Sequence, residues 1–90
     1  MAELWYEEAA ESAISSLEAD PHRRSLYGAV RRVLDKLEQD PGDPSLRRRR
    51  FQLGLWCVVV FADEEEWALL WDLDEVGEVV VRYIGPASFA

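Results

Sequence analysis

Between Tyr6 and Leu17 the apolar residues fall at Tyr6, Ala9, Ala10, Ala13, Ile14 and Leu17, the repeat of one helix face, while Glu7, Glu11 and Glu18 lie towards the other side. This spacing predicts a first helix from about Tyr6 to Ala19. Asp20-Pro21 then offers an N-cap followed by a proline at the first helical position, and Leu26, Val30, Val33, Leu34 and Leu37 mark a second apolar stripe. A second helix is expected from about Pro21 to Gln39. Asp40-Pro41-Gly42-Asp43-Pro44 ends it, because neither proline can continue the hydrogen-bond ladder and each forces the residue before it out of the α region.

Beyond Phe51 the period changes. Leu55 to Ala62, Trp67 to Leu73 and Val79 to Ile84 are short runs of β-branched and aromatic residues, which predict three strands. Asp63-Glu64-Glu65-Glu66 and Asp74-Glu75-Val76-Gly77 connect them, with Gly77 placed for a positive φ, and links this short require antiparallel neighbours. The expected fold is α+β: two N-terminal helices packed on one face of a C-terminal three-stranded antiparallel β-meander. Leu4-Trp5-Tyr6 is too short to decide between coil and a fourth, edge strand.

Alternation within these strands is poor, for Val58 and Val60 point to one side while Cys57, Val59 and Phe61 point to the other. Both sheet faces are therefore apolar. Two helices cover only one of them, so the second is either shielded by long side chains or covered by a partner, and a partner is the expectation.

Ninety residues suit a single domain spanning 1–90, and a 49% hydrophobic composition with four Trp supplies enough apolar surface to fold without disulfides or a structural metal. Cys57, the one cysteine, lies in the apolar run Leu55 to Phe61; a buried, inert thiol in a reducing compartment is expected. Met1 to Glu8 lacks the basic start and apolar stretch of a signal peptide, and the longest uncharged run, Phe51 to Ala62, falls short of the ~20 residues that cross a bilayer. A cytoplasmic chain with no membrane contact is the expectation.

Net charge is −8, which by itself disfavours nucleic-acid binding. Its distribution alters that picture. Residues 1–20 carry six acids and no base, residues 21–50 carry nine bases against four acids, and residues 51–90 carry Arg82 against eight acids. The middle third is a basic island, and its Arg47-Arg48-Arg49-Arg50 run adjoins Phe51. Such a cluster beside an aromatic ring can grip phosphates and stack a base. Equally, the arginines can neutralise the glutamates of the first helix or the acidic turns. Neither His22, an ordinary surface residue by its isolation, nor any Ser-His-Asp, Cys-His or CxxC set offers a nucleophile. Asp72-Leu73-Asp74-Glu75-Val76-Gly77 begins like a calcium loop but puts Val76 and Tyr83 at ligand positions, so neither metal nor cofactor is expected.

The order of a helical hairpin, an Asp-Pro-rich break, a basic stretch, then Gly54-Leu55-Trp56 opening a meander that ends Val81-Arg82-Tyr83-Ile84-Gly85 resembles the RelE/ParE superfamily of type II toxin-antitoxin toxins. The likeness spans nearly the whole chain. It implies a toxin component neutralised by a cognate antitoxin, whose disordered tail folds onto it. In the nuclease branch it also implies a ribosome-dependent mRNA endoribonuclease (an mRNA interferase). Arg47, Arg48, Arg49, Arg50 and Phe51 would then bind RNA, with Arg48 and Arg50 on its phosphates. Arg82 would stabilise the transition-state charge, and Tyr83 would stack a base or move a proton. The alternative is a non-catalytic protein-binding module of the gyrase-inhibitor or regulatory kind. Partners implied are the antitoxin and the ribosome with its messenger; the apolar second sheet face also allows a second copy of the chain, as a homodimer.

Overall fold

A computed structural model describes residues 3–47, 49–50 and 54–88. Its elements follow in the order β1 (Leu4–Tyr6), α1 (Glu8–Ala19), a 3₁₀ turn (Pro21–Arg23), α2 (Arg24–Gln39), a second 3₁₀ turn (Pro44–Leu46), β2 (Arg49–Arg50), β3 (Trp56–Ala62), β4 (Glu65–Leu73) and β5 (Val79–Pro86). The α+β class stands, but the expected three-stranded antiparallel meander is corrected to a five-stranded mixed sheet in the order β1-β5-β4-β3-β2. Two short strands account for the difference. β1 lies parallel to β5, with Leu4, Trp5 and Tyr6 opposite Val79, Val80 and Val81, and β2 pairs antiparallel to β3 through Arg49–Cys57 and Arg50–Trp56.

The first helix starts at Glu8 rather than Tyr6, because Tyr6 belongs to β1 and the next amide, Glu7 N–H, donates to Val81 O at 3.0 Å. Asp20 does cap: its carboxylate accepts from the His22 N–H at 2.9 Å, with Pro21 following, although the first three residues wind as 3₁₀ before α2 begins. The β3–β4 connection is tighter than expected. Asp63 and Glu64 alone make the turn, at φ 53° and 62°, and Ala62 already pairs with Glu65. Both central residues at positive φ give the twist an antiparallel hairpin favours. Asp63 is fixed there by accepting from Leu26 N–H at 2.9 Å, which satisfies an amide in the first turn of α2. In the second hairpin Gly77 takes φ 86°, as expected, and Asp74 ties the turn by accepting from Val76 N–H and Glu78 N–H.

α1 and α2 share one sheet face. Ala10 and Leu17 from α1, with Leu26, Val30, Leu34 and Leu37 from α2, join Trp67, Leu69, Trp71, Val79, Val81 and Ile84 of the sheet in one continuous core. On the opposite face Cys57, Ala68 and Leu70 form a smaller buried cluster, against which Leu55, Val59, Tyr83 and Ala87 pack. The chain's own side chains therefore shield the middle of that second face. Burial raises the Cys57 thiol pKa, with Arg49 opposing more weakly. Cys57 should accordingly react with iodoacetamide at least about ten times more slowly in the folded chain than in denaturant. Equal rates would show that the cluster is open to solvent.

No helix among the described residues is long and apolar enough to cross a membrane.

Candidate functional site

Register decides what the arginines can do. Arg50 sits opposite Trp56, and Trp56 opposite Trp71, so these three side chains point into the helix-bearing layer at one level of the sheet. The indoles of Trp56 and Trp71 lie 4.7 Å apart between centroids, tilted by 37°. Onto Trp56 come two guanidiniums, Arg47 and Arg50, each 4.5 Å from the ring centroid, and Arg47 is also 5.5 Å from Trp71. This is cation–π geometry, in which a ring quadrupole offsets positive charge. Carbonyls complete the arrangement: Arg47 Nε donates to Pro41 O at 2.9 Å and Arg50 Nη1 to Gly54 O. Trp71 Nε1 donates to Leu46 O at 3.1 Å, which fixes the second 3₁₀ turn just before Arg47.

Arg49 alternates to the other face, exposed and opposite Cys57. Arg48 and Phe51 lie outside the described residues.

Arg82 occupies a different place. The β4–β5 ladder shifts register between Leu70 and Trp71, whose partners are Tyr83 and Val81, so Arg82 is the extra residue of a β-bulge. Its side chain emerges on the face away from the helices and meets two carboxylates: Nε donates to Asp72 Oδ1 at 2.8 Å and Nη1 to Glu7 Oε1 at 2.7 Å. The hydrogen bonds it donates to Asp72, then to Glu7, raise its pKa above the ordinary value. The phenol of Tyr83 donates to Pro86 O at 2.9 Å, and its ring lies across Gly85, where an added Cβ would come within 2.6 Å of the hydroxyl. Only a residue without a side chain leaves the ring that path.

The structure thus separates the residues that the sequence grouped. Arg47 and Arg50 serve the helix-side layer, Arg82 and Tyr83 the opposite face. Arg49 shares the latter face, but β4 and β3 stand between β5 and β2, which at strand spacing is about 14 Å. Two features escaped sequence reading. One is the pair of indoles that receives the arginines; the other is the Glu7–Arg82–Asp72 ion-pair set, to which Glu7 comes from the opposite end of the chain. No cluster of His, Cys, Asp and Glu able to hold a metal occurs among the described residues.

The ion pairs give Arg82 a structural weight that can be measured. Its side chain is 34% exposed, so solvent screens the pairs in part. Arg82→Ala should cost about 1–2 kcal/mol by leaving two carboxylates facing each other. Arg49→Ala should change stability by less than about 0.5 kcal/mol. Denaturant midpoints of the two variants compare them, and equal midpoints would assign Arg82 no structural role.

Comparison with family models, with curated proteins and with solved structures gives no match to this chain.

Proposed function

We propose that this chain is a protein-binding domain of RelE/ParE-like type, the toxin-like member of a toxin–antitoxin pair, which acts on a protein target and is held by a cognate antitoxin. The observation that carries the choice of a binding role over messenger cleavage is the clamp on Arg82. A guanidinium that stabilises a transition state must present free N–H groups to the developing charge. Arg82 directs Nε and one Nη1 hydrogen at Asp72 and Glu7, which fixes the guanidinium and offsets its charge with two carboxylates. Arg47 and Arg50 likewise direct a donor each at the carbonyls of Pro41 and Gly54 and rest on Trp56. Proton transfer would also need a base, and an arginine that stays protonated does not supply one.

Two assays test this reading. Purified chain added to programmed ribosomes should leave the messenger intact, while co-expression with the product of the adjacent reading frame should give a complex that co-purifies. Arg82→Ala should not relieve whatever growth arrest the parent causes on induction, provided the variant remains folded. Cut messenger that disappears in a folded Arg82→Ala variant would overturn the binding reading and establish the nuclease, with ribosome and mRNA as its partners.

A further inference from the structure

The two sides of the sheet are finished differently. At the β5 side the outer strand β1 is three residues long, Arg82 forms a bulge and β5 ends on Pro86. Short strands, bulges and proline are the usual means by which an edge is kept from pairing with another chain. At the β3 side the described residues show neither bulge nor proline, and the outer strand β2, two arginines long, leaves most of β3 uncovered. β2 pairs only with Trp56 and Cys57, so the outward N–H and C=O groups of Val58–Ala62 have no ladder among the described residues. This stretch reads Val-Val-Val-Phe-Ala, has high strand propensity and carries no charge. Phe61 within it is 72% exposed. Alongside runs an open groove of about 520 Å³ between β3 and α2, its apolar floor including Ala29, Val33, Val58 and Val60.

Charge along this edge is polar end to end. At one end the turn carries Asp63 and Glu64, both exposed, and Glu64 makes no ion pair among the described residues. At the other lie exposed Arg49 and Arg50 on β2, together with Lys36, which reaches Ser45 Oγ only at 3.5 Å and Asp43 at 3.9 Å. α2 runs antiparallel to β3, with Leu26 bound to Asp63 at the acidic end and Lys36 at the basic one. An edge with an acidic and a basic end is complementary to its own reverse. Antiparallel pairing about a two-fold axis supplies that reverse.

We propose that Val58–Ala62 is a homodimer interface, in which β3 of one copy pairs antiparallel with β3 of a second across a two-fold axis near Val60. The two sheets then continue into one another. Phe61 of each copy packs beside Val59 of the other on the face away from the helices, the α2 grooves close on each other, and each Asp63–Glu64 turn meets the Arg49–Arg50 end of its partner. A foreign strand would gain the backbone bonds but would need its own charges arranged to match. A second copy brings them by symmetry.

Sedimentation of the full chain over rising concentration tests this, combined with hydrogen exchange of the Val58–Ala62 amides. The expected result is a monomer–dimer equilibrium with a Kd of about 1–100 µM. Amides of this stretch should gain protection as the dimer forms, and added salt should weaken it. Phe61→Lys and Glu64→Arg should each weaken dimerisation about ten-fold or more at unchanged monomer melting, and Arg49→Glu combined with Glu64→Arg should restore it. A strict monomer at millimolar concentration overturns the proposal, as does a dimer indifferent to these changes or protected at β1 instead. Protection of Val58–Ala62 that appears only on adding a different protein would assign the edge to that partner and overturn it too.

Discussion

Leu34→Asp should abolish the cooperative thermal transition of this domain. Leu34 is fully buried in the stripe of α2 that meets the sheet, within the same cluster as Val30, Leu37 and Trp71. A carboxylate there has no partner: no buried polar or charged residue occurs among the described residues of the core. It must stay charged in an apolar interior or take up a proton, and either costs several kcal/mol. Against a stability of about 5–15 kcal/mol for a small domain, that leaves little or no folded population at room temperature. Val30→Asp should behave alike, since Val30 is equally buried. Ser15→Asp, on the exposed side of α1, should stay within about 0.5 kcal/mol of the parent. Melting followed by circular dichroism separates these outcomes. Cooperative melts within a few degrees of the parent for both Leu34→Asp and Val30→Asp would mean that the assigned face of α2 is not the buried one.

That face was legible in the sequence because a helix writes its environment at a fixed period. Leu26, Val30, Leu34 and Leu37 are all buried, and the stop at Asp40-Pro41 follows from proline chemistry. Gly77 was legible for the same kind of reason, a local conformation that one residue type favours. The sheet was legible only in part. β1 is three residues and β2 two, too few to establish a period of two, and what makes them strands is pairing, β1 with the distant β5 and β2 with β3. The candidate site suffered more. Whether Arg82 faces RNA or an ion pair depends on a bulge that puts it beside Asp72 and on a parallel strand that brings Glu7 alongside. Neither is written near Arg82. Likewise, Arg47 and Arg50 read as free charge until the register places Trp56 under both. The apolar second face was foreseen from poor alternation, while the side chains that cover its centre, Tyr83 above all, are set by the path Gly85 leaves open.

Trp71→Ala should be the most damaging change to a side chain without altering charge, at about 3–5 kcal/mol. Trp71 is 0% exposed and stands in the middle of β4, paired with Trp56 on one side and Val81 on the other. Removing the indole opens a cavity under both helices. It also strips Leu46 O of its donor, and an unsatisfied buried carbonyl adds about 1–3 kcal/mol of its own. Trp71→Phe weights the second effect, since it keeps an aromatic ring and most of the bulk while losing the N–H; a cost of about 1–3 kcal/mol is expected. The consequence reaches further than stability. The 3₁₀ turn Pro44–Leu46 is tied to the sheet by this hydrogen bond, and Arg47 follows it onto Trp56. Without the tie, the amide of Arg47, which donates to Pro44 O in that turn, should exchange faster than in the parent. Trp56 emission should shift as the guanidinium leaves its ring. A Trp71→Phe variant as stable as the parent, with Arg47 exchange unchanged, would show that packing against Trp56 alone holds the turn and that the indole N–H is dispensable.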